Sequence, residues 1–262
     1  MDLSLQNKHA MVCGSTQGIG KACALELARM GATITVVARS ENDLLNVRDE
    51  LDRSFHQPHA ILVADFSKPE DLRLKLKLHF NNHTVPHILI NNTGGPPSGT
   101  VSDANTEEFL GAFNNHLICN HILMQAVLPG MKEAKYGRIV NIISTSVKQP
   151  LKNLGVSNTI RAAVANWSKT LATEVAPFMI TVNNVLPGAT NTMRIQNILE
   201  ARAQKTGRPM EELKREMMME IPMQRFAEAS EIANAVAFLC SPAAGYITGI
   251  NLPVDGGRTS CL

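Results

Sequence analysis

The chain has 262 residues, 44% of them hydrophobic and 18% charged, which is enough to bury a sizeable core and suits one α/β domain or two small ones. A net charge of +2 without any Lys/Arg cluster recruits neither nucleic acid nor an anionic membrane surface. Five scattered cysteines (Cys13, Cys23, Cys119, Cys240, Cys261) with no C-x-x-C pair, no apolar signal core at the start and no run of about 18 apolar residues lead us to expect reduced thiols and a cytoplasmic chain.

Short apolar runs alternate with amphipathic ones from end to end, which predicts β-α-β units and an α/β fold with a parallel sheet covered on both faces. Residues 9–13 read as the first strand. They lead into V-C-G-S-T-Q-G-I-G at 12–20, where Gly14, Gly18 and Gly20 permit a tight turn, close approach of backbone to a pyrophosphate, and close packing of the next helix. The spacing is G-x3-G-x-G, not the G-x-G-x-x-G of the common dinucleotide fingerprint, and a ligand-free turn is the lesser alternative reading of the loop alone.

Residues 19–30 form the first helix, ended by Gly31 as a C-cap. Residues 32–38, rich in β-branched side chains, are the second strand, 41–53 the second helix, and 59–64 the third strand, ending at Asp65. Residues 71–80 alternate Leu with Arg, Lys and His, a period of two that nominally suggests a strand. The β-α order calls for a helix there, and position decides it. The fourth strand, 87–90, runs into a polar, Gly/Pro-rich loop at 91–99. A long helix over 106–132, a fifth strand at 137–143, a helix over 153–175 holding Trp167 as a packing anchor, and a sixth strand at 180–186 follow. Segment 193–225 is charged and Met-rich and reads as a helical flap. Its Met210, Met217, Met218, Met219 and Met223 offer adaptable surface to a bulky or acyl-chain ligand, or else pack inward. A last helix at 230–239 and a seventh strand at 251–254 complete a chain without repeats or linkers, so 1–262 is expected to be one domain.

Taken in order, these motifs resemble the short-chain dehydrogenase/reductase family, especially its β-ketoacyl-carrier-protein-reductase-like members, over essentially the whole chain. The family's T-G-x-x-x-G-x-G is matched from Gly14 to Gly20, with Cys13 where Thr is usual. Asn91-Asn92-Thr93-Gly94 matches its N-N-A-G. Pro187-Gly188 with Thr190 and Thr192 resembles its nicotinamide-side loop, and Tyr246-Ile247-Thr248-Gly249 and Asp255-Gly256-Gly257 resemble its C-terminal segment. The resemblance implies a Rossmann-type, doubly wound sheet of about seven strands with helices on both faces. It implies a dinucleotide held by Gly14, Ser15, Gln17, Gly18, Ile19 and Gly20, with Arg39, Ser40, Asp65 and Phe66 at the adenosine end. Asn92, Gly94, Arg161, Pro187, Gly188, Thr190 and Thr192 would hold the nicotinamide end. It also implies a homo-oligomer, dimer or tetramer, built on the two long helices around Leu117 and Trp167, a small-molecule or acyl substrate, and no metal.

Charge argues the cofactor type. An acidic residue at the end of the second strand would mark NAD(H), whereas Ala38-Arg39-Ser40 stands there, which favours NADP(H) over NAD(H). Gln17 departs from the basic residue that NADP-preferring members often carry in the Gly-rich loop.

The catalytic motif departs further. The family uses a Tyr, a Lys four residues later, a Ser thirteen residues before the Tyr, and an Asn on the fourth helix. Ser144 matches the Ser, but Y-x-x-x-K reads S-N-T-I-R, placing Ser157 and Arg161 at the Tyr and Lys positions. Counting back from Leu128-Pro129 puts His116 at the relay position, with Asn115 one residue away. A Ser hydroxyl is far less acidic than a phenol, and losing a positioned general acid costs about 10²–10⁴ in rate. His116, expected to titrate near neutrality, is the candidate proton shuttle. The expected function is an NADP(H)-dependent oxidoreductase of a carbonyl or secondary alcohol, 3-oxoacyl-reductase-like, with an atypical active site. The alternatives are a non-catalytic NADP(H)-binding sensor or partner subunit, and a different reaction run by Ser144, Ser157 and His116.

Overall fold

The structure, a computed structural model, describes residues 1–261. Strands β1 (His9–Cys13), β2 (Thr33–Ala38), β3 (Ala60–Val63), β4 (Ile88–Asn91), β5 (Gly137–Ile142), β6 (Ile180–Pro187) and β7 (Asn251–Val254) carry near-continuous apolar runs because both sheet faces are covered. Alternate residues face opposite layers. Ala10 and Val12 of β1 join the core under helices α1 (Gly18–Arg29), α2 (Glu41–Glu50) and α9 (Ala229–Cys240), while Met11 and Cys13 join the core on the other face. That second layer comprises α3 (Pro69–Phe80), α5 (Cys119–Glu133) and α6 (Gly155–Val175), with α4 (Thr106–Phe113) leading into α5. All pairings between the strands are parallel, in the order β3-β2-β1-β4-β5-β6-β7 among the described residues. This is the doubly wound Rossmann-type arrangement, with its crevice at the carboxyl ends of β1 and β4, where the order reverses.

Helix α3 shows why its leucines alternate. Leu72 and Leu76, four residues apart, are buried, whereas Leu74 and Leu78 are each 56% exposed. Pro69 in the first turn, acidic Glu70 and Asp71 at the start and Lys77 and His79 at the end mark a helix where periodicity alone suggests a strand. Other boundaries shift for local reasons. Helix α2 stops at Glu50 because Leu51 is extended, and α6 begins at Gly155 because Asn153 sits at φ +58. Trp167 is half-buried, meeting His121 edge-on at 6.3 Å. Among the described residues no helix is long and apolar enough to cross a membrane. Among the described residues all five cysteines are free thiols, and burial pushes Cys119 and Cys240 up to about 12.

A row of asparagines crosses the middle of the sheet. Asn91, Asn141, Asn184 and Asn251 are register partners on β4, β5, β6 and β7. The Asn91 Nδ2 donates to Asn141 Oδ1 at 2.8 Å, Asn141 Nδ2 to Asn184 Oδ1 at 3.0 Å, and Asn184 Nδ2 to Asn251 Oδ1 at 2.8 Å. Asn141 also donates to the Ser168 hydroxyl of α6 at 3.1 Å. Removing it leaves several buried polar groups unpaired. Asn141→Ala is expected to cost about 2–4 kcal/mol in urea unfolding, and a loss below about 1 kcal/mol would show the ladder to be dispensable.

Buried histidines on β1 and α3 make the fold acid-sensitive. His9 donates through Nδ1 to the Thr84 carbonyl at 2.7 Å and accepts the Thr35 hydroxyl at Nε2, 2.8 Å away. Burial pushes it down to about 4, and burial with His83 does the same to His79. The unfolded chain protonates these groups near 6.5, so it binds more protons below that pH. Stability is therefore full above about pH 6.5 and falls as pH drops towards 4, His9 alone accounting for about 3 kcal/mol. Urea midpoints across this range should fall with acid, and less steeply in His9→Gln.

Candidate active site

The turn after β1 is built by glycines. Gly14 (φ +58) and Gly18 (φ +56) adopt the left-handed conformation. A Cβ on Gly14 would lie 2.6 Å from the Asn92 carbonyl oxygen, and one on Gly20 only 2.1 Å from the Gly14 carbonyl oxygen, so neither position admits a side chain. Asn92 Nδ2 ties the turn to β4 by donating to the Cys13 and Gly14 carbonyls at 3.3 and 3.1 Å. Helix α1 starts at Gly18 with no side-chain cap and no acidic residue in its first turn. Its free N–H groups and positive end make a position suited to an anion. Gln17 is exposed beside them, and Ile19 packs into the core below. Ser15 turns the other way: its buried Oγ accepts the Val37 N–H at 2.9 Å.

Across the crevice, Arg39 follows β2 and is exposed, and Ser40 caps α2 by accepting the Asp43 N–H at 3.4 Å. Asp65, after β3, accepts the Ser67 N–H at 3.0 Å, which with the Arg39 charge holds its carboxyl below the usual range. Phe66 packs on the α3/α5 layer and its carbonyl accepts the Cys119 thiol. Thr192 closes over the cradle, its Cγ2 lying 3.3 Å from where a Gly18 Cβ would be. Thr190 and Thr192 brace their own loop, donating to the Gly188 and Thr190 carbonyls at 3.1 and 3.2 Å. Gly188, next to Pro187 at the end of β6, sits against Asp255, where a Cβ would be 2.7 Å from the Asp255 Cα.

Beyond β4 and β5 the polar side chains converge. Ser144 Oγ accepts the Ser146 N–H at 3.1 Å, leaving its own proton free to donate. Ser157 and Arg161, one turn apart on α6, are both buried. Arg161 Nη1 donates to the Ile142 carbonyl at 2.9 Å and Nη2 to the Thr93 carbonyl at 3.3 Å, bridging the ends of both strands. Burial, and next the charge of Arg194, lower it to about 10, so it remains a cation at neutral pH.

His116 lies in a π turn, Asn114–Ile118, that joins α4 to α5. The extra residue of that turn is why counting along the sequence wavers between Asn115 and His116. Both line a 260 Å³ cavity with Gly94 and Gly95. His116 is only 2% exposed, and its Nδ1 is hydrogen-bonded to the Thr93 hydroxyl. Burial, followed by the charges of Arg161 and Arg194, pushes its pKa down to about 2. This corrects the expectation of a histidine titrating near neutrality: between two guanidiniums and away from water, the ring stays neutral.

Residues 14–259 match the family model described as Enoyl-(Acyl carrier protein) reductase. The chain belongs to the short-chain dehydrogenase/reductase family. It is 34% identical to the 3-oxoacyl-[acyl-carrier-protein] reductase FabG of Pseudomonas aeruginosa, over 97% of this chain and 98% of that one. It is 29% identical to the NADPH-dependent reductase BacG of Bacillus subtilis, over 98% and 100%. The L-sorbose reductase of Gluconobacter frateurii, solved with NADPH and L-sorbose, superimposes with a TM-score of 0.93 at 30% identity, over the full length of both chains. These relatives are reductases, and the family is one of oxidoreductases.

Within this family fold the flap comprises helices α7 (Met193–Thr206) and α8 (Met210–Met219). Met217 and Met218 pack inward on Leu199, Leu213 and Phe226, so these two do not line a ligand surface, whereas Met210, Met219 and Met223 are exposed. A second cavity, of 210 Å³, is walled by Thr145, Gln149, Leu151, Glu220, Arg258 and Thr259. One residue escaped the sequence reading. Arg194, in the first turn of α7, donates to the Pro96 carbonyl at 2.9 Å, a contact spanning 98 residues that no local motif announces. The neutrality of His116 is directly measurable: its imidazole nitrogens should keep neutral-form NMR shifts from about pH 8 to 5, and a midpoint near 6.5 would contradict the burial argument.

Proposed function

We propose that this chain is an NADP(H)-dependent oxidoreductase that reduces a carbonyl group, or oxidises the matching secondary alcohol, using Arg161 in place of the family's phenol and ammonium pair. One observation carries the reading: the uncapped, glycine-built N-terminus of α1 and a buried cation, Arg161, open on the same edge of the sheet. The cradle fits a dinucleotide, since the backbone N–H groups of the first α1 turn, starting at Gly18 and Ile19, would take its pyrophosphate. Asp65 would take its adenine, and Arg39, exposed where an acidic residue would repel a 2′-phosphate, its phosphate. The NADPH named for BacG and for the sorbose reductase supports the same choice. When bound, the cofactor supplies a hydride to the carbonyl carbon.

The chain's own groups deal with the oxygen. Ser144, whose Oγ already accepts an N–H, donates a hydrogen bond to the carbonyl oxygen and keeps its proton. Arg161 faces the negative charge that develops there, and a fixed cation in a dry site stabilises it more than water does. The proton that completes the alcohol comes from water through the Ser157 hydroxyl, while the neutral His116 and Thr93 pair holds the wall of the site. Without a group of phenol-like acidity, turnover is slow by the family's standard. Flap segment 193–225 covers the substrate, and pairing through the long helices is supported by exposed Leu110 and Phe113 on α4.

The second reading, a non-catalytic NADP(H)-binding sensor or partner subunit, is favoured by the serine at position 157. Fluorescence titration should show NADPH binding at least about tenfold tighter than NADH, a margin lost in Arg39→Ala. NADPH absorbance should fall with carbonyl substrates, and Ser144→Ala should cut kcat by about 10²-fold or more at nearly constant NADPH affinity. Binding without turnover across a broad carbonyl panel leaves the sensor reading standing, and binding of neither nucleotide removes both.

A further inference from the structure

Two guanidiniums share one corner of the site. A Cβ placed on Gly95 would lie 3.2 Å from Arg194 Nη2 and 3.9 Å from Arg161 Nη2. Arg161 comes from α6 and Arg194 from α7, so packing of the flap helix over the loop after β4 brings them together. Each donates only to backbone carbonyls: Arg161 to Ile142 and Thr93, Arg194 to Pro96. Among the described residues, neither takes part in an ion pair. Glu108, which lines the same cavity as Gly95, is engaged in the cap of α4, where it accepts the Asn105 N–H.

Like charges held together without a counter-charge repel, and a buried cation is costly unless it is paired. Each guanidinium nevertheless keeps unused donors in a planar fork, the geometry that matches a carboxylate. The cavity that Gly94, Gly95 and Pro96 line at this corner holds 260 Å³, room for a small molecule rather than a long acyl chain.

We infer that Arg161 and Arg194 form a carboxylate-binding site, and that the substrate is a small carbonyl compound with a carboxylate close to its reacting carbon. This rests on the carbonyl-reducing reading above and narrows it. Arg161 is placed to serve both the developing oxyanion and the adjacent carboxylate, and Arg194 holds the carboxylate from the flap side. A thioester-linked acyl chain would bring no charge to this corner.

The test uses oxamate, an unreactive carboxylate beside an amide carbonyl, and its uncharged counterpart ethyl oxamate. Titrated by calorimetry into the NADPH-loaded protein, oxamate should bind at least about tenfold tighter than the ester. Arg194→Ala should weaken oxamate by about 10–100-fold, the effect of one charged hydrogen bond. Arg194→Lys should restore part of the loss, and NADPH affinity should change less than about twofold. Equal binding of acid and ester, or an Arg194→Ala protein with unchanged oxamate affinity, overturns the inference. A matching loss of NADPH affinity in Arg194→Ala also overturns it, by assigning the arginine to the cofactor's phosphates. Oxamate titrated into the free protein should show the same contrast more weakly. A failure of NADPH to bind thus removes the cofactor reading while leaving the arginine pair under test.

Discussion

The asparagine ladder sets the level at which everything else is displayed. Four side chains on adjacent parallel strands, the buried Asn91, Asn141 and Asn184 and the exposed Asn251, are linked by three hydrogen bonds in cross-strand register. Apolar side chains alone tolerate sliding, because one buried aliphatic contact resembles the next. A buried amide does not, since a slip of one residue points it at the opposite face and leaves several polar groups unpaired. Thr93, Ser144, Pro187-Gly188 and Asp255 all follow these strands within a few residues, so the ladder puts them at one edge together. The bond from Asn141 to Ser168 extends the same constraint to α6, and hence to Ser157 and Arg161 on that helix.

On this rigid edge Ser157 and Arg161, which we propose stand where the family has its Tyr and Lys, are best understood as a coupled pair. A lysine at position 161 would offer a flexible point charge able to lower the pKa of a neighbouring phenol. With no phenol beside it, that service has no object. Arginine instead reaches the Ile142 and Thr93 carbonyls with separate nitrogens and becomes part of the wall. Its charge is fixed in position and protonation state, which suits stabilising an anion rather than shuttling a proton. Burial is the main cause that keeps His116 neutral, and the charge of Arg161, followed by that of Arg194, adds to it.

Much of this was legible before any coordinates. Strand positions and the glycine-built turn follow from short-range patterns, because turns and apolar runs are local properties, and motif spacing singles out Ser144, Ser157 and Arg161 as site candidates in the same local way. The leucines of α3 show where local pattern misleads: a period of two and a helix share every fourth residue, and only burial separates Leu72 and Leu76 from Leu74 and Leu78. The π turn at 114–118 shows a different limit, since one extra residue in a helix leaves no trace in composition but rotates everything after it. Arg194 and the asparagine ladder were out of reach for a third reason. Their meaning lies in partners 43 to 98 residues away, and nothing in one sequence distinguishes a buried Asn with a register partner from one in a loop.

The arginine pair also ties stability to function. A fold that holds two guanidiniums together without an acid gives up some stability, and active sites commonly hold such uncompensated groups because their use demands it. The deficit is made good only by something that brings negative charge into the corner. Any such ligand binds the folded chain and not the unfolded one, and so stabilises it in proportion to the logarithm of its concentration over its Kd. Introducing an acidic residue near Gly95 would relieve the same repulsion from within. It would give a more stable protein whose anion site is already filled, so at this corner stability and substrate recognition compete for the same two cations.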